Sequence, residues 1–390
     1  MRIVKVLLVA ILLPLGFAGG YLVGGRFGAD TAALTGAQRA SAQHVSQLQE
    51  KIIEQLQARY YKRIDVAKLG LASIDGMLAS LKDPWTVYLT AEEMRQFTEV
   101  TEGKYSGVGA SLEKKDQRLL IVTVFDGSPA QKAGLKPGDQ IIAVDGRPTA
   151  DLSLQSSIAY IKGKAGTTVT LRVVPADGGK PRAVTIVRRQ IHIPLTTAKT
   201  LTSSGRRVAY IELTQFSEGA GAQVAADLRK AVRDGASAVV FDLRDNGGGL
   251  LTEAVDVASD FIVSGPIVST QGLHSPRQVL KAEGGHVTLL PVVLLVNGFT
   301  ASASEIVTGA LQDYHRAVVV GTRTFGKGLV QNIVNLPGGA ALKLTTAIYL
   351  TPNGRDINKR GITPDELVRD NPKKPGDEQL QAALRYLAAH

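Results

Sequence analysis

Residues 292–306 read Val-Val-Leu-Leu-Val-Asn-Gly-Phe-Thr-Ala-Ser-Ala-Ser-Glu-Ile. The aliphatic run Val292–Val296 has no polar alternation, so it reads as a strand buried on both faces. Asn297-Gly298 is a turn signal, and Ser302–Asp313 reads as a helix. Strand, turn and helix recur on both sides of this stretch. Val208–Leu213 is a strand, and Ser217–Asp234 is a helix with Val224, Leu228 and Val232 on one face. Ala238–Leu243 is a strand, Leu250–Ile262 a helix and Ala317–Gly321 a strand. This alternation predicts an α/β domain over residues 191–369, whose ligands gather at strand ends and helix N-termini.

Ser302 has two readings. Ser302-x-x-Glu305 is a capping box, in which the serine only starts a helix. The same position sets a hydroxyl beside free backbone N–H groups at a positive helix end, where an oxyanion is stabilised. A serine nucleophile needs a base, and no histidine is well placed by sequence. Gly321-Thr-Arg-Thr-Phe-Gly-Lys327-Gly328 offers a lysine in an apolar, glycine-flanked turn. To act at neutral pH its pKa must fall from about 10.4 to roughly 7–8, a cost of about 4 kcal/mol that desolvation can supply. Gln331, four residues on, returns to the same face and can orient an amine without recharging it.

Gly321–Lys327 also matches the start of a phosphate-binding loop. Gly328 stands where that loop needs Ser or Thr, and Leu329–Leu336 reads as strand, not helix. A solvent-facing turn lysine is the plainer alternative. Asp242–Leu250, with Gly247-Gly248-Gly249, joins a buried strand to a helix, either as a tight turn or as a close approach to ligand.

Residues 103–190 have a different texture, with strand-like Leu119–Phe125, Gln140–Val144, Thr167–Val174 and Ala183–Arg188 between Gly, Pro and Asp turns. Gly107-Val108-Gly109-Ala110 can turn successive N–H groups toward one anion. With Gly127-Ser-Pro-Ala130, Ala133-Gly-Leu-Lys-Pro-Gly-Asp139 and Ile141–Gly146, this stretch resembles a PDZ domain. That resemblance implies capture of a peptide C-terminus, with Gly107, Val108, Gly109 and Ala110 on its carboxylate and Leu154–Ile161 as the groove helix. A β barrel without a ligand is the alternative.

The chain opens Met-Arg-Ile-Val-Lys, followed by twenty uncharged residues, Val6–Gly25, and Arg26. A helix of that length spans about 30 Å, so residues 1–26 are expected to be a membrane anchor, with a cleaved signal peptide as the alternative. Arg2 and Lys5 favour the cytoplasmic side, which places the remainder outside the cytoplasm. Residues 27–102 are read as a tether (27–43) and a helical arm suited to packing or homo-oligomer formation. Its helical signals are the Val45, Leu48, Ile52, Leu56, Tyr60 stripe, Val66–Leu81 ended by Asp83-Pro84, and the Thr90-x-x-Glu93 box. No chemistry is assigned to the arm, and residues 370–390 are read as a C-terminal tail.

Composition removes other classes. The chain has 390 residues, 44% hydrophobic and 21% charged, which excludes a mainly disordered chain and a polytopic membrane protein. Cysteine is absent, so disulfides, thiolate nucleophiles and Cys-ligated zinc are excluded. Six scattered histidines lack metal-ligand spacing, and no metal or cofactor is expected. Aromatics at 5% poorly supply stacking platforms, and no nucleic-acid partner is expected. The +10 net charge is concentrated at 103–190, with 14 Lys/Arg against 7 Asp/Glu, and does not choose among anionic partners.

Thr300-Ala-Ser-Ala-Ser-Glu-Ile306, Thr324-Phe-Gly-Lys-Gly328 with Gln331, and Asp242–Gly249 together resemble the carboxy-terminal processing peptidases of the S41 serine peptidase family. So do Tyr349–Arg355 and Gly361–Asp365. The resemblance implies an α/β catalytic core of crotonase/ClpP-like fold, an inserted mainly-β PDZ domain and an N-terminal helical arm. It implies Ser302 as nucleophile, Lys327 as general base and Gln331 as the residue orienting it. The oxyanion would be held by the Ala303 N–H and a glycine N–H, assigned to Gly248. The implied activity is endoproteolysis near protein C-termini, with no cofactor. A non-catalytic PDZ scaffold at the membrane is the alternative.

Overall fold

The computed structural model describes residues 20–21, 34–370 and 376–390. The expected anchor therefore lies outside the described residues, except for β1 (Gly20–Tyr21), a two-residue strand. Among the described residues no helix is long and apolar enough to cross a membrane.

The first unit comprises α1 (Gly36–Arg59), α2 (Val66–Ala79), β2 (Val87–Leu89) and α3 (Ala91–Thr101). Helix α1 begins inside the stretch read as a tether, because Thr35 and Gln38 form a capping box there. Asp65 caps α2, and the expected Thr90–Glu93 box opens α3. The Val45, Leu48, Ile52 and Tyr60 stripe of α1 is exposed. Strand β2 leaves this unit and pairs antiparallel with a strand of the core, as described below.

The β module follows, with β3 (Lys104–Gly107), β4 (Ala110–Lys115), β5 (Arg118–Val124), α4 (Pro129–Lys132), β6 (Gln140–Val144) and β7 (Arg147–Pro148). It continues with α5 (Leu154–Ile161), β8 (Thr168–Val174), β9 (Arg182–Val187) and β10 (Arg189–His192). The sheet order is β4-β5-β6-β8-β9, around a core of Leu119, Ile121, Ile141, Leu171 and Val173. Strands β3 and β10 pair antiparallel where the chain enters and leaves the module, which closes it as an insertion.

The rest of the chain forms the α/β core. Its elements are β11 (Thr196–Ser203), β12 (Arg206–Leu213), α6 (Ala220–Arg233), β13 (Ala238–Asp242), α7 (Leu251–Ser259), β14 (Pro266–Gly272), β15 (Ser275–Lys281) and β16 (Val292–Val296). They continue with α8 (Ala303–Asp313), β17 (Val318–Gly321), β18 (Leu329–Asn335), β19 (Ala341–Leu350), β20 (Glu366–Leu367) and α9 (Glu378–Ala389). The central sheet runs β11-β12-β13-β16-β17-β20, parallel except for β11. Side chains alternate between its faces, which explains the uninterrupted apolar strands. Val239, Phe241, Leu294 and Val296 pack on α6, α7 and α8. Val240, Val293, Leu295 and Val320 pack on Ala382, Ala383 and Leu387 of α9.

The expected C-terminal tail thus includes a helix that covers the second face of the sheet. Without α9 those four strand residues would face water. A second sheet runs β1-β18-β19-β14-β15, and β2 also pairs with β19. Val87 lies opposite Lys343 and Leu89 opposite Ala341, so the N-terminal unit is woven into the core.

Candidate active site

Ser302 follows the end of β16 and caps α8, in a backbone conformation with φ +58° and ψ −117°. Left-handed φ is uncommon for a residue with a Cβ, and such strain persists only where surrounding bonds hold it. Here the Ser302 N–H donates to Glu305 Oε2 at 3.0 Å, and the Glu305 N–H donates to the Ser302 carbonyl at 2.8 Å. Ser302 is fully buried, as is Glu305.

Glu305 does far more than cap a helix. Its carboxylate also accepts from the Gly326 N–H and the Lys327 N–H, both at 2.8 Å, and from the Thr324 hydroxyl. One buried carboxylate therefore ties the serine turn to the lysine turn. Burial raises its pKa, and these four donors act in the opposite direction. Tyr349 on β19 adds a second tie, with its hydroxyl bonded to the Ser302 carbonyl at 3.0 Å and to the Lys327 carbonyl.

Lys327 is 1% exposed. Burial depresses its pKa well below the usual lysine value, and the nearby Lys343 charge depresses it further. Asp83 and Glu305 oppose the shift. The chain continues from Gly328 into β18, so a phosphate-binding loop, which needs a helix there, is not formed. Gln331 lies on β18. Its Nε2 donates to the Trp85 carbonyl at 3.2 Å, while its buried Oε1 has no hydrogen-bond partner.

Trp85 was not anticipated as a site residue. Its ring centroid lies 3.8 Å from Lys327 Nζ, and its edge meets the Phe325 ring at 6.2 Å between centroids. The Asp83–Thr86 turn carries it into place. Asp83 accepts from the Trp85 N–H and the Thr86 hydroxyl, and the Thr345 N–H donates to Thr86 Oγ1 at 3.1 Å. In the sequence this turn reads as the end of a helix, although the chain's single tryptophan was a signal within it.

Gly248 packs directly on the serine turn. A Cβ on it would lie 2.8 Å from Ser302 Cβ and 2.9 Å from the Ala303 nitrogen. At φ +98° the position suits glycine. However, the Gly248 N–H donates to Asn246 Oδ1 at 2.9 Å. The oxyanion role given to Gly248 thus requires that N–H to be shared or released. Ala303 is the first residue of α8, where backbone N–H groups lack intrahelical partners.

Gly107, Val108, Gly109 and Ala110 stand apart from these residues, in the β module. Val108 is buried in that module's core, and its carbonyl accepts from the Ala130 N–H at 2.8 Å. Strand β4 ends its sheet with α5 alongside, leaving the groove geometry that an added peptide strand needs. Burial pushes the pKa of the Tyr105 hydroxyl in the same module up to about 12. Lys162 sits over the Tyr105 ring at 4.9 Å and pairs with Glu99 at 2.9 Å.

Residues 207–368 match the family described as Peptidase family S41, residues 120–175 match the PDZ domain, and residues 16–93 match the N-terminal domain of the activating protease CtpB. The chain is 39% identical to the carboxyl-terminal-processing protease of Synechocystis over 342 residues, which is 85% of this chain and 80% of that one. It is 37% identical over 331 residues to a probable CtpA-like serine protease of Staphylococcus aureus, covering 83% of this chain and 64% of the relative. Among solved structures, the photosystem II D1 C-terminal processing protease aligns at 31% identity and TM-score 0.52, over 87% of this chain and 90% of that one. A putative S41 protease of Bacteroides fragilis shares the fold, at 19% identity and TM-score 0.54, over 85% and 91%. The buried serine and lysine thus sit on the scaffold of a serine peptidase. The chain belongs to peptidase family S41, among the carboxyl-terminal-processing proteases.

Proposed function

We propose that the chain is a serine endopeptidase that cuts protein substrates near their C-termini with Ser302, Lys327 and Gln331. The observation that carries this reading is the Lys327 amine, buried and with a depressed pKa, on a turn that Glu305 ties to the Ser302 turn. Neutral Lys327 takes the Ser302 proton, and Oγ attacks the scissile carbonyl. The Ala303 N–H and a glycine N–H of the 247–249 run stabilise the oxyanion, with Gly248 as the glycine once its bond to Asn246 is given up. Lys327 passes its proton to the leaving amine, then activates the water that hydrolyses the acyl-enzyme.

Gln331 holds the amine through its otherwise unbonded Oε1. The PDZ domain takes the substrate's terminal carboxylate at Gly107–Ala110, and the peptide adds as a strand beside β4. The core is read as crotonase/ClpP-like. The apolar run 6–25 anchors the chain with its catalytic part outside the cytoplasm, and the exposed stripe of α1 is the surface for a homo-oligomer.

The test is to incubate residues 27–390 with a set of protein tails and to map the products by mass. Ser302→Ala and Lys327→Arg are expected to yield none, since a guanidinium cannot lose its proton. Cleavage by Ser302→Ala would overturn the assignment. Tail binding without turnover in the unaltered protein would favour the PDZ scaffold instead.

A further inference from the structure

The Asp83–Thr86 turn brings the N-terminal unit to Lys327 and Gln331. Three contacts meet at Trp85. Its ring lies over Lys327 Nζ at 3.8 Å, its carbonyl accepts from Gln331 Nε2 at 3.2 Å, and its edge abuts Phe325. Trp85 is itself half-buried, while the amine beneath it belongs to a side chain 1% exposed. The indole thus covers one side of the Lys327 amine. We propose that Trp85 is a positioning residue of the peptidase centre: its ring shuts water away from the Lys327 amine, and its carbonyl fixes the Gln331 amide beside it. The inference rests on the reading of Ser302 and Lys327 as nucleophile and base.

The ring has two opposed effects on the amine. Its π face favours the ammonium form, by about 0.5–2 kcal/mol. Its bulk withholds water, and desolvation of a buried lysine can lower the pKa by up to about 3–5 units. Burial is the first cause of the amine's depressed pKa at this site. Among the described residues, the charged groups that act on the amine are Lys343 from β19, Asp83 from the turn that carries Trp85, and Glu305 from α8. Lys343 opposes protonation and the two carboxylates favour it, while burial is the largest influence and lowers the pKa. The carbonyl contact has a separate result. Gln331 Nε2 is engaged by Trp85, which leaves Oε1 as the end able to accept from the amine.

The position of Trp85 depends on strand pairing remote from the serine. Strand β2 zips onto β19, and Thr86 is bonded to the Thr345 N–H. The N-terminal unit thereby supplies a component of the base's environment that the α/β core lacks on its own.

The test measures the amine directly, with the full chain labelled at the lysine ε-carbon and Lys327 assigned by its loss in Lys327→Met. Trp85→Ala and Trp85→Gln are expected to raise the Lys327 midpoint by about one unit or more. The acidic limb of kcat/KM should move up with it, so that activity at pH 7 falls about tenfold and recovers at higher pH. Trp85→Phe, which keeps an apolar ring in place, is expected to restore both. Trp85→Gln fills most of the indole's length and carries the test if the alanine variant does not fold. A midpoint unmoved or lowered in these variants would overturn the proposal. The titration needs no turnover, so this outcome is distinct from failure of the peptidase reading, which cleavage by Ser302→Ala would show.

Discussion

Gly248 shows how little room surrounds Ser302. A methyl group there would meet the Ala301 carbonyl oxygen at 2.7 Å and the Ser302 Cβ at 2.8 Å, on a backbone at φ +98°. Gly248→Ala is therefore expected to cost about 1–3 kcal/mol of stability. By displacing the N–H groups around the oxyanion it should lower kcat about 10²–10³-fold. Steady-state kinetics beside denaturant unfolding separates the two effects. Lys327 gives the opposite combination. Its folded pKa is depressed, so the unfolded chain binds the extra proton between the folded value and about 10.5, and stability falls as pH falls through that window. Lys327→Met should be inactive yet melt higher than the parent at pH 7, with the gain shrinking as pH approaches 10. A gain constant across that range would show that the buried amine costs the fold no ionisation energy.

Asp260, at the end of α7, is a buried acid that titrates in the opposite direction. Burial pushes its pKa up to about 7, and one carboxylate oxygen, Oδ2, has no hydrogen-bond partner. The stability it supplies is present below about pH 4 and lost as pH rises through 7. Asp260→Asn is expected to raise the melting temperature at pH 8 and leave it unchanged at pH 4, measured by calorimetry. In the sequence, adjacent glycines and apolar strand residues single out Ser302, Lys327 and Gln331, and all three are buried. The fourfold role of Glu305 was not legible, since Ser-x-x-Glu is complete as a capping motif and gives no hint of Gly326 and Lys327, 21 and 22 residues on.

At the scale of elements, the strands and helices of the core were readable from their periodicity, and Gln140–Val144, Leu154–Ile161 and Val292–Val296 form as expected. The miss at the C-terminus has a physical reason. Leu380, Ala383, Leu384 and Leu387 have helical spacing, but the strand face they cover is made by residues 60 to 180 positions earlier, so their partner is invisible locally. An ion-pair network fixes the start of α9. Arg244 pairs with Asp242 at 2.5 Å and with Asp377 at 2.8 Å, with Gln379 also accepting at 3.1 Å. Arg244 and Asp242 are almost fully buried, and Arg244 lies two residues before Asn246, which holds the Gly248 N–H. Arg244→Met would leave the Asp242 charge buried without its partner, and is expected to cost about 3–5 kcal/mol in denaturant unfolding. A loss below about 1 kcal/mol would mean that the pair is no stronger than a surface one.

At the scale of the molecule, the surprise is how the three units interlock. Sequence reading orders them as helical arm, PDZ domain and α/β core, and assigns the arm no chemistry. Strand β2 is three residues long and its partner β19 lies about 250 positions away, so no local pattern announces their pairing. The same long reach puts Trp85 beside Lys327. The β module is tied to the first unit by the Lys162–Glu99 pair.

Because one carboxyl group grips both catalytic turns, hydroxyl and amine travel together as a single rigid piece. An off state made by prising them apart would orphan three donors, the Thr324 hydroxyl and the Gly326 and Lys327 N–H groups, in a dry interior. Any inexpensive brake on this enzyme must therefore leave that pair intact and work at its seams, by tilting the indole roof or by withholding the tail's entry point.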